Sequence, residues 1–349
     1  MVLRSADEEE DDDGDKSSSY VVLAGGGGEG NSGIRNALIV AQFDFDSNVL
    51  SDEPMARLGT GTDLPYRMAV HPGGEGLICS LPKSCRWFDW DIQKAENRSL
   101  GLRSSERVLE PLEDVGQQLA LTFNNEGSLL AVGGEAGKLR VYKWPSMENI
   151  LDQANAHASV KDVDFSADGK LLASVGSGGC RIWDVSKSTS IASLMKENDE
   201  IFGYCRFSPT NDENQVLYIT TIRDQGGCIS KWSITTWRRM KSKRVVRDPI
   251  CAFNVSPDGK LLAIGTIEGD VLIVSSNNFL VQNVVKRLIL VLALLSASLD
   301  SRVRVTLIKE EKKTGPGLWV AILVLLIAIA VFYAASNGIL PWELNSILK

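Results

Sequence analysis

The stretch of this chain with the most chemically suggestive spacing is 20–44, YVVLAGGGGEGNSGIRNALIVAQFD. Gly25, Gly26, Gly27 and Gly28 follow an apolar strand, and Glu29, Gly30, Asn31, Ser32 and Gly33 extend a run almost without large side chains. Backbone N–H groups laid bare by glycine can cradle a phosphate. The Lys-Ser/Thr pair of G-x-x-x-x-G-K-[ST] is missing, however, and no helix follows to give the glycines a dinucleotide-binding geometry. Residues 37–44 (ALIVAQFD) continue instead as a second strand. Consecutive backbone groups in such a loop could hold an ion, as carbonyl rings hold potassium. A flexible hairpin with no ligand is the plainer alternative.

Other chemistry is sparse. The two histidines, His71 and His157, leave little for imidazole catalysis or metal binding, and the six cysteines are scattered with no C-x-x-C pair. The composition thus argues against most hydrolytic enzymes. Residues 7–15 (DEEEDDDGD) carry eight acids, so the rest of the chain sums to +1 against a total of −7. A generally basic nucleic-acid surface is not indicated.

The elements that must position the glycine run belong to a repeat. Its clearest copies are 119–144 (LALTFNNEGSLLAVGGEAGKLRVYKW), 160–185 (VKDVDFSADGKLLASVGSGGCRIWDV) and 251–276 (CAFNVSPDGKLLAIGTIEGDVLIVSS). Each reads as an alternating strand, a turn with E-G or D-G, an apolar strand, a second turn and a third alternating strand. Poorer copies lie at 66–91 and 205–234. Phe123, Phe165 and Phe207 recur every 42 residues. That period, four strands per unit and a Trp-Asp ending such as Trp183-Asp184 indicate an all-β, WD-repeat β-propeller over 20–308. Five units and one at each end predict seven blades. The last is defective, because no F-S-x-D-G-K turn precedes Leu294–Thr306. His157 and Asp164 fit the structural hydrogen-bond network of such repeats, and Trp87, Trp144, Trp183 and Trp232 close third strands as core. Leu288–Leu295 is too short to span a bilayer and reads as a buried strand.

Residues 1–19 read as an acidic disordered tail. Residues 318–335 (LWVAILVLLIAIAVFYAA) are uncharged and span roughly 27 Å as a helix, enough for the thinner bilayer of the endoplasmic reticulum. Five basic residues at 300–317 against the single Lys349 after the span predict a cytosolic propeller, a basic linker at 309–317 and a short lumenal tail at 336–349.

The loop at 24–36 (AGGGGEGNSGIRN), followed by degenerate WD repeats and one C-terminal-side membrane span, resembles the endoplasmic-reticulum guanine-nucleotide exchange factors that activate the small GTPase of COPII coats. The resemblance covers 20–335. It implies an exchange factor without covalent chemistry, embedded by a single pass in the endoplasmic-reticulum membrane, with the COPII GTPase as partner and no nucleic acid or small-molecule substrate. It further implies that Gly25–Gly33 form a potassium-binding loop that projects toward the GTPase, and that Asn36, the Asn closing the loop, is critical for exchange. Arg35 stands where the family often has Pro. The alternative within this resemblance is a non-exchanging WD-repeat adaptor that aids the exit of membrane cargo such as phosphate transporters.

Overall fold

The computed structural model describes residues 2–4, 19–28, 33–44, 47, 49–93, 99–197, 199–209, 215–285, 292–297 and 303–308. They form a succession of antiparallel sheets, each a meander of consecutive strands. Blade two is Arg67–Val70, Gly76–Ser80, Cys85–Gln93 and Ser99–Ser104, and blade three is Gln118–Phe123, Leu129–Gly134, Leu139–Lys143 and Asn149–Gln153. Blade four is Val160–Phe165, Leu171–Gly176, Gly179–Asp184 and Thr189–Leu194; blade five is Ile201–Phe207, Val216–Arg223, Gly226–Ser233 and Arg239–Val246. Blade six is Ile250–Val255, Leu261–Thr266, Val271–Ser275 and Val281–Val285.

Blade one differs. Ser19–Gly25 pairs with Asn36–Asp44, which pairs in turn with Val49–Leu50 and with Ala56–Gly61. Its first strand is Val2–Arg4, with Leu3 opposite Tyr20. That strand lies inside the run expected to be a disordered tail; a short V-L-R segment meets the otherwise open edge of Ser19–Gly25.

Six sheets have four or more strands, so the described residues hold six blades where the repeat spacing predicts seven. The last repeat contributes only Leu292–Ala297 and Val303–Ile308, paired with each other. The cause is visible in the sequence: the turn that would connect a first strand to Leu292–Ala297 was never encoded. Among the described residues no helix is long and apolar enough to cross a membrane. The expected basic linker, span at 318–335 and lumenal tail lie outside the described residues.

The first-to-second-strand turns show how local sequence sets the hairpins. In blade four Ser166 Oγ donates to Asp168 Oδ1 (2.6 Å), which also accepts from Lys170 N–H, while Leu171 N–H donates back to Ser166 Oγ (2.9 Å). Ser256, Asp258, Lys260 and Leu261 repeat these bonds at the same distances in blade six. Gly169 and Gly259 adopt φ +70, which a side chain would resist.

The sheets bury their apolar faces against one another. Leu139, Val141 and Leu151 of blade three pack with Val160, Leu172 and Trp183 of blade four. Trp87, Trp144, Trp183 and Trp232 are all buried, as expected of core. Full burial of such a side chain contributes about 2–3 kcal/mol. Trp183 Nε1 donates to Ser174 Oγ (2.8 Å), and His157 Nε2 lies 2.8 Å from the same oxygen. His157 is therefore structural. Asp164 is not in that chain. It accepts the N–H of Phe207 (2.7 Å), and Asp162 accepts Cys205 N–H and pairs with Arg206 (2.6 Å), so both carboxylates bind blade four to blade five.

Replacing Ser174 with Ala leaves a buried indole N–H and an imidazole nitrogen unpartnered, and should cost about 2–3 kcal/mol in urea unfolding. The pH dependence carries two opposed contributions. Burial, helped by Arg181, lowers the His157 pKa from 6.5 to about 4, so the unfolded chain binds the extra proton between those values and stability falls as pH drops through them. Burial raises Asp164 to about 7 against the pull of Arg206, so the folded state holds the extra proton and stability falls as pH rises toward 7. Asp164→Asn keeps an acceptor for Phe207 and removes the second contribution. Its melting temperature should climb more steeply than that of the unmutated protein between about pH 4 and 7.

Candidate functional site

In a four-stranded meander the second-to-third turns and the blade-to-blade connections share one end of every sheet. The glycine loop joins the second and third strands of blade one, so it belongs to that end. Gly25 closes the strand Ser19–Gly25, opposite Ala37, and is exposed. Gly27 N–H donates to the carbonyl of Ile34 (3.1 Å), pinching the base of the loop. Gly28 and Gly33 take φ +69 and +75, the left-handed region that favours glycine. Glu29, Gly30, Asn31 and Ser32 lie outside the described residues.

Asn36, the first residue of Asn36–Asp44, points inward and is only 4% exposed. Its Oδ1 accepts the N–H of Gly28 (3.0 Å). Its Nδ2 donates toward three carbonyls: Gly61 (3.1 Å), Thr62 (3.1 Å) and Gly28 (3.3 Å). The side chain thus bolts the loop to the connection leaving blade one. That connection has its own internal tie, Thr60 Oγ1 donating to Asp63 O (2.7 Å), and Asp63 pairs with Arg86 of blade two (3.1 Å). The carbonyls of Gly28, Gly61 and Thr62 all turn toward one point, the donor chemistry that potassium takes; the Asn36 amide fills that point.

Among the loop's described residues, the exposed side chains are Ile34, 55% exposed, and Arg35. The residues expected to act at this site divide accordingly. Gly26, Gly27 and Gly28 meet Asn36 or its neighbours, Gly25 stands apart, and Asn36 positions the loop from beneath. Sequence reasoning missed Gly61 and Thr62. The T-G-T-D run at 60–63 marks a turn, but no spacing ties it to Asn36. Among the described residues no three His, Cys, Asp or Glu side chains are close enough to hold a metal.

Two adjacent glycines should behave oppositely. A Cβ on Gly26 would fall 2.1 Å from Asn36 Oδ1 and 2.5 Å from its Cα, whereas a Cβ on Gly25 meets nothing within 4 Å. Gly26→Ala must displace the Asn36 side chain or the strand, at a cost of about 1–3 kcal/mol in thermal unfolding, while Gly25→Ala should stay within about 0.5 kcal/mol of the unmutated protein.

Comparison with known proteins agrees with this architecture. The WD domain, G-beta repeat family matches residues 149–184, from the last strand of blade three through the third strand of blade four. Among solved structures, the chain is similar to one described as "COPII on membranes, outer coat vertex", with a TM-score of 0.62 at 14% identity over 76% of this chain and 71% of that one, a likeness of fold. Mouse guanine nucleotide-exchange factor SEC12 is 26% identical over 51% of this chain and 46% of its own length. SEC12-like protein 1 of Arabidopsis thaliana is 32% identical over 74% of this chain and 65% of its own length. SEC12-like protein 2 of the same plant is 50% identical over 83% of this chain and 76% of its own length. At 50% identity over 83% of its length with that relative, the chain belongs to the SEC12-like family.

Proposed function

We propose that this chain is a guanine-nucleotide exchange factor for the small GTPase of the COPII coat, acting at the endoplasmic-reticulum membrane. The mouse and rat relatives carry guanine-nucleotide exchange in their names. The observation that carries the reading is the asparagine latch: one buried side chain ties Gly28, at the near end of the glycine loop, to the carbonyls of Gly61 and Thr62 on the connection leaving blade one. By linkage, a factor that binds the nucleotide-free GTPase more tightly weakens nucleotide binding in the same proportion. No covalent step is needed. Asn36 is then a positioning residue, and the exposed Ile34 and Arg35 are the groups that meet the GTPase. The apolar run at 318–335 would confine the reaction to one membrane, with the propeller cytosolic. Potassium would help to order the loop through carbonyls other than those of Gly28, Gly61 and Thr62, which the Asn36 amide already engages.

The test is the rate of fluorescent guanine-nucleotide release from the GTPase. Asn36→Ala should slow it at least about tenfold, which is ~1.4 kcal/mol of lost differential binding. Asn36→Asp should be no better, because a carboxylate would face the carbonyls of Gly28, Gly61 and Thr62 with nothing to donate. Arg35→Ala should also slow release while leaving the melting temperature unchanged, which separates contact from positioning. Release at the unmutated rate by Asn36→Ala would remove the latch from the mechanism and favour a non-exchanging adaptor that aids membrane cargo out of the endoplasmic reticulum.

A further inference from the structure

We propose that a groove between blades five and six, on the same end of the propeller as the glycine loop, is a docking site for a peptide segment that carries an aliphatic side chain flanked by lysine or arginine. The groove is about 520 Å³ and is built from connections far apart in sequence. Its apolar floor is Ile201, Ile222, Pro249 and Ile267. Ile201 is 48% and Ile267 61% exposed, so the groove offers apolar surface that a partner could cover. Ile267 N–H donates to the Pro249 carbonyl (3.2 Å), so the two walls are joined at the base.

The rim supplies the charge. Asp199, Asp224, Asp248 and Glu268 line it, against the single guanidinium of Arg247. Among the described residues none of these four carboxylates has an ion-pair partner, whereas Glu197 and Glu200 nearby are matched by Arg239. The four do not converge on one point, because among the described residues no cluster could hold a metal ion. A spread of unpaired acids around an aliphatic floor is complementary to an extended segment with several cationic side chains.

Backbone conformation supports the same assignment. Asp199, Asp224 and Gln225 all line this groove and all take positive φ, at 65°, 47° and 60°. Non-glycine residues adopt that region seldom, and where they do the backbone is held by its surroundings. In the second-to-third turn of blade five Asp224 thus lines the groove with a charge that glycine at the same place would not carry.

The proposal does not depend on nucleotide exchange, and its test contains no GTPase. The full chain is titrated into a fluorescein-labelled synthetic peptide with a central isoleucine between paired lysines, and anisotropy is read. Saturable binding is expected, weakening as salt is raised. Asp224→Asn combined with Glu268→Lys should weaken it about tenfold or more. Ile267→Ser should weaken it by a similar factor, and its melting temperature should match that of the unmutated chain because Ile267 is a surface residue. The same peptide with glutamate in place of lysine should not bind. Equal affinity for both peptides, unchanged affinity in both variants, or no saturable binding up to about 1 mM would overturn the assignment.

Discussion

No blade of this protein can bury its own apolar faces. A four-stranded sheet has two, and each closes only against the sheets on either side. Everything else in the molecule answers to that requirement. The tryptophans that end third strands fill the wedges between sheets, and the carboxylates of Asp162 and Asp164 reach across to the backbone of blade five rather than staying within their own blade. A strand that pairs in register within its blade can still slide against its neighbour. Side-chain-to-backbone bonds across the gap, such as Arg67 Nε to Leu119 O between blades two and three, remove that freedom.

The glycine loop is therefore not a free hairpin attached to a rigid ring. Asn36 sits where the ring's own connection passes, and the atoms it binds belong to both: Gly28 in the loop, Gly61 and Thr62 in the path toward blade two. Glycine at 26 serves the same closure, since the asparagine occupies the space a side chain would need. A loop whose conformation is tied to the frame can transmit force between the propeller and whatever presses on it. A loop with the same composition and no latch would pay ordering entropy on contact instead.

The repeats were legible because their signals are local. Phe123, Phe165 and Phe207 at equal spacing, and the Ser-x-Asp-Gly turns whose hydrogen bonds close within five residues, announce their structure wherever they occur. The glycine run was legible for the same reason. What sequence could not give is partnership at a distance. The Asn36 contacts span 25 and 26 residues, and the Asp164 bond to Phe207 spans 43, so Asp164 was placed in the wrong hydrogen-bond network. Repeat spacing predicts seven blades with a defective last one, and among the described residues that last unit contributes a single strand pair. Val2–Arg4 is hidden in sequence by the acidic run at 7–15, which dominates the composition of the first nineteen positions.

The two ends of the sheets have different freedoms, and this explains where chemistry can gather. At one end the first-to-second turns spend their polar side chains on themselves: Ser166 and Asp168, Ser256 and Asp258, and Asn124, whose Oδ1 accepts Leu129 N–H, are each consumed in closing a hairpin. Little is left over to meet a partner. At the opposite end the second-to-third turns are set by backbone conformation instead, by glycine in blade one and by left-handed Asp224 and Gln225 in blade five. Exposed side chains on these turns, such as Arg35, Asp224 and Glu268, can vary with little effect on the core. The demand that blades stack fixes the scaffold, and the turns released from that demand are the ones that hold both the glycine loop and the acidic groove.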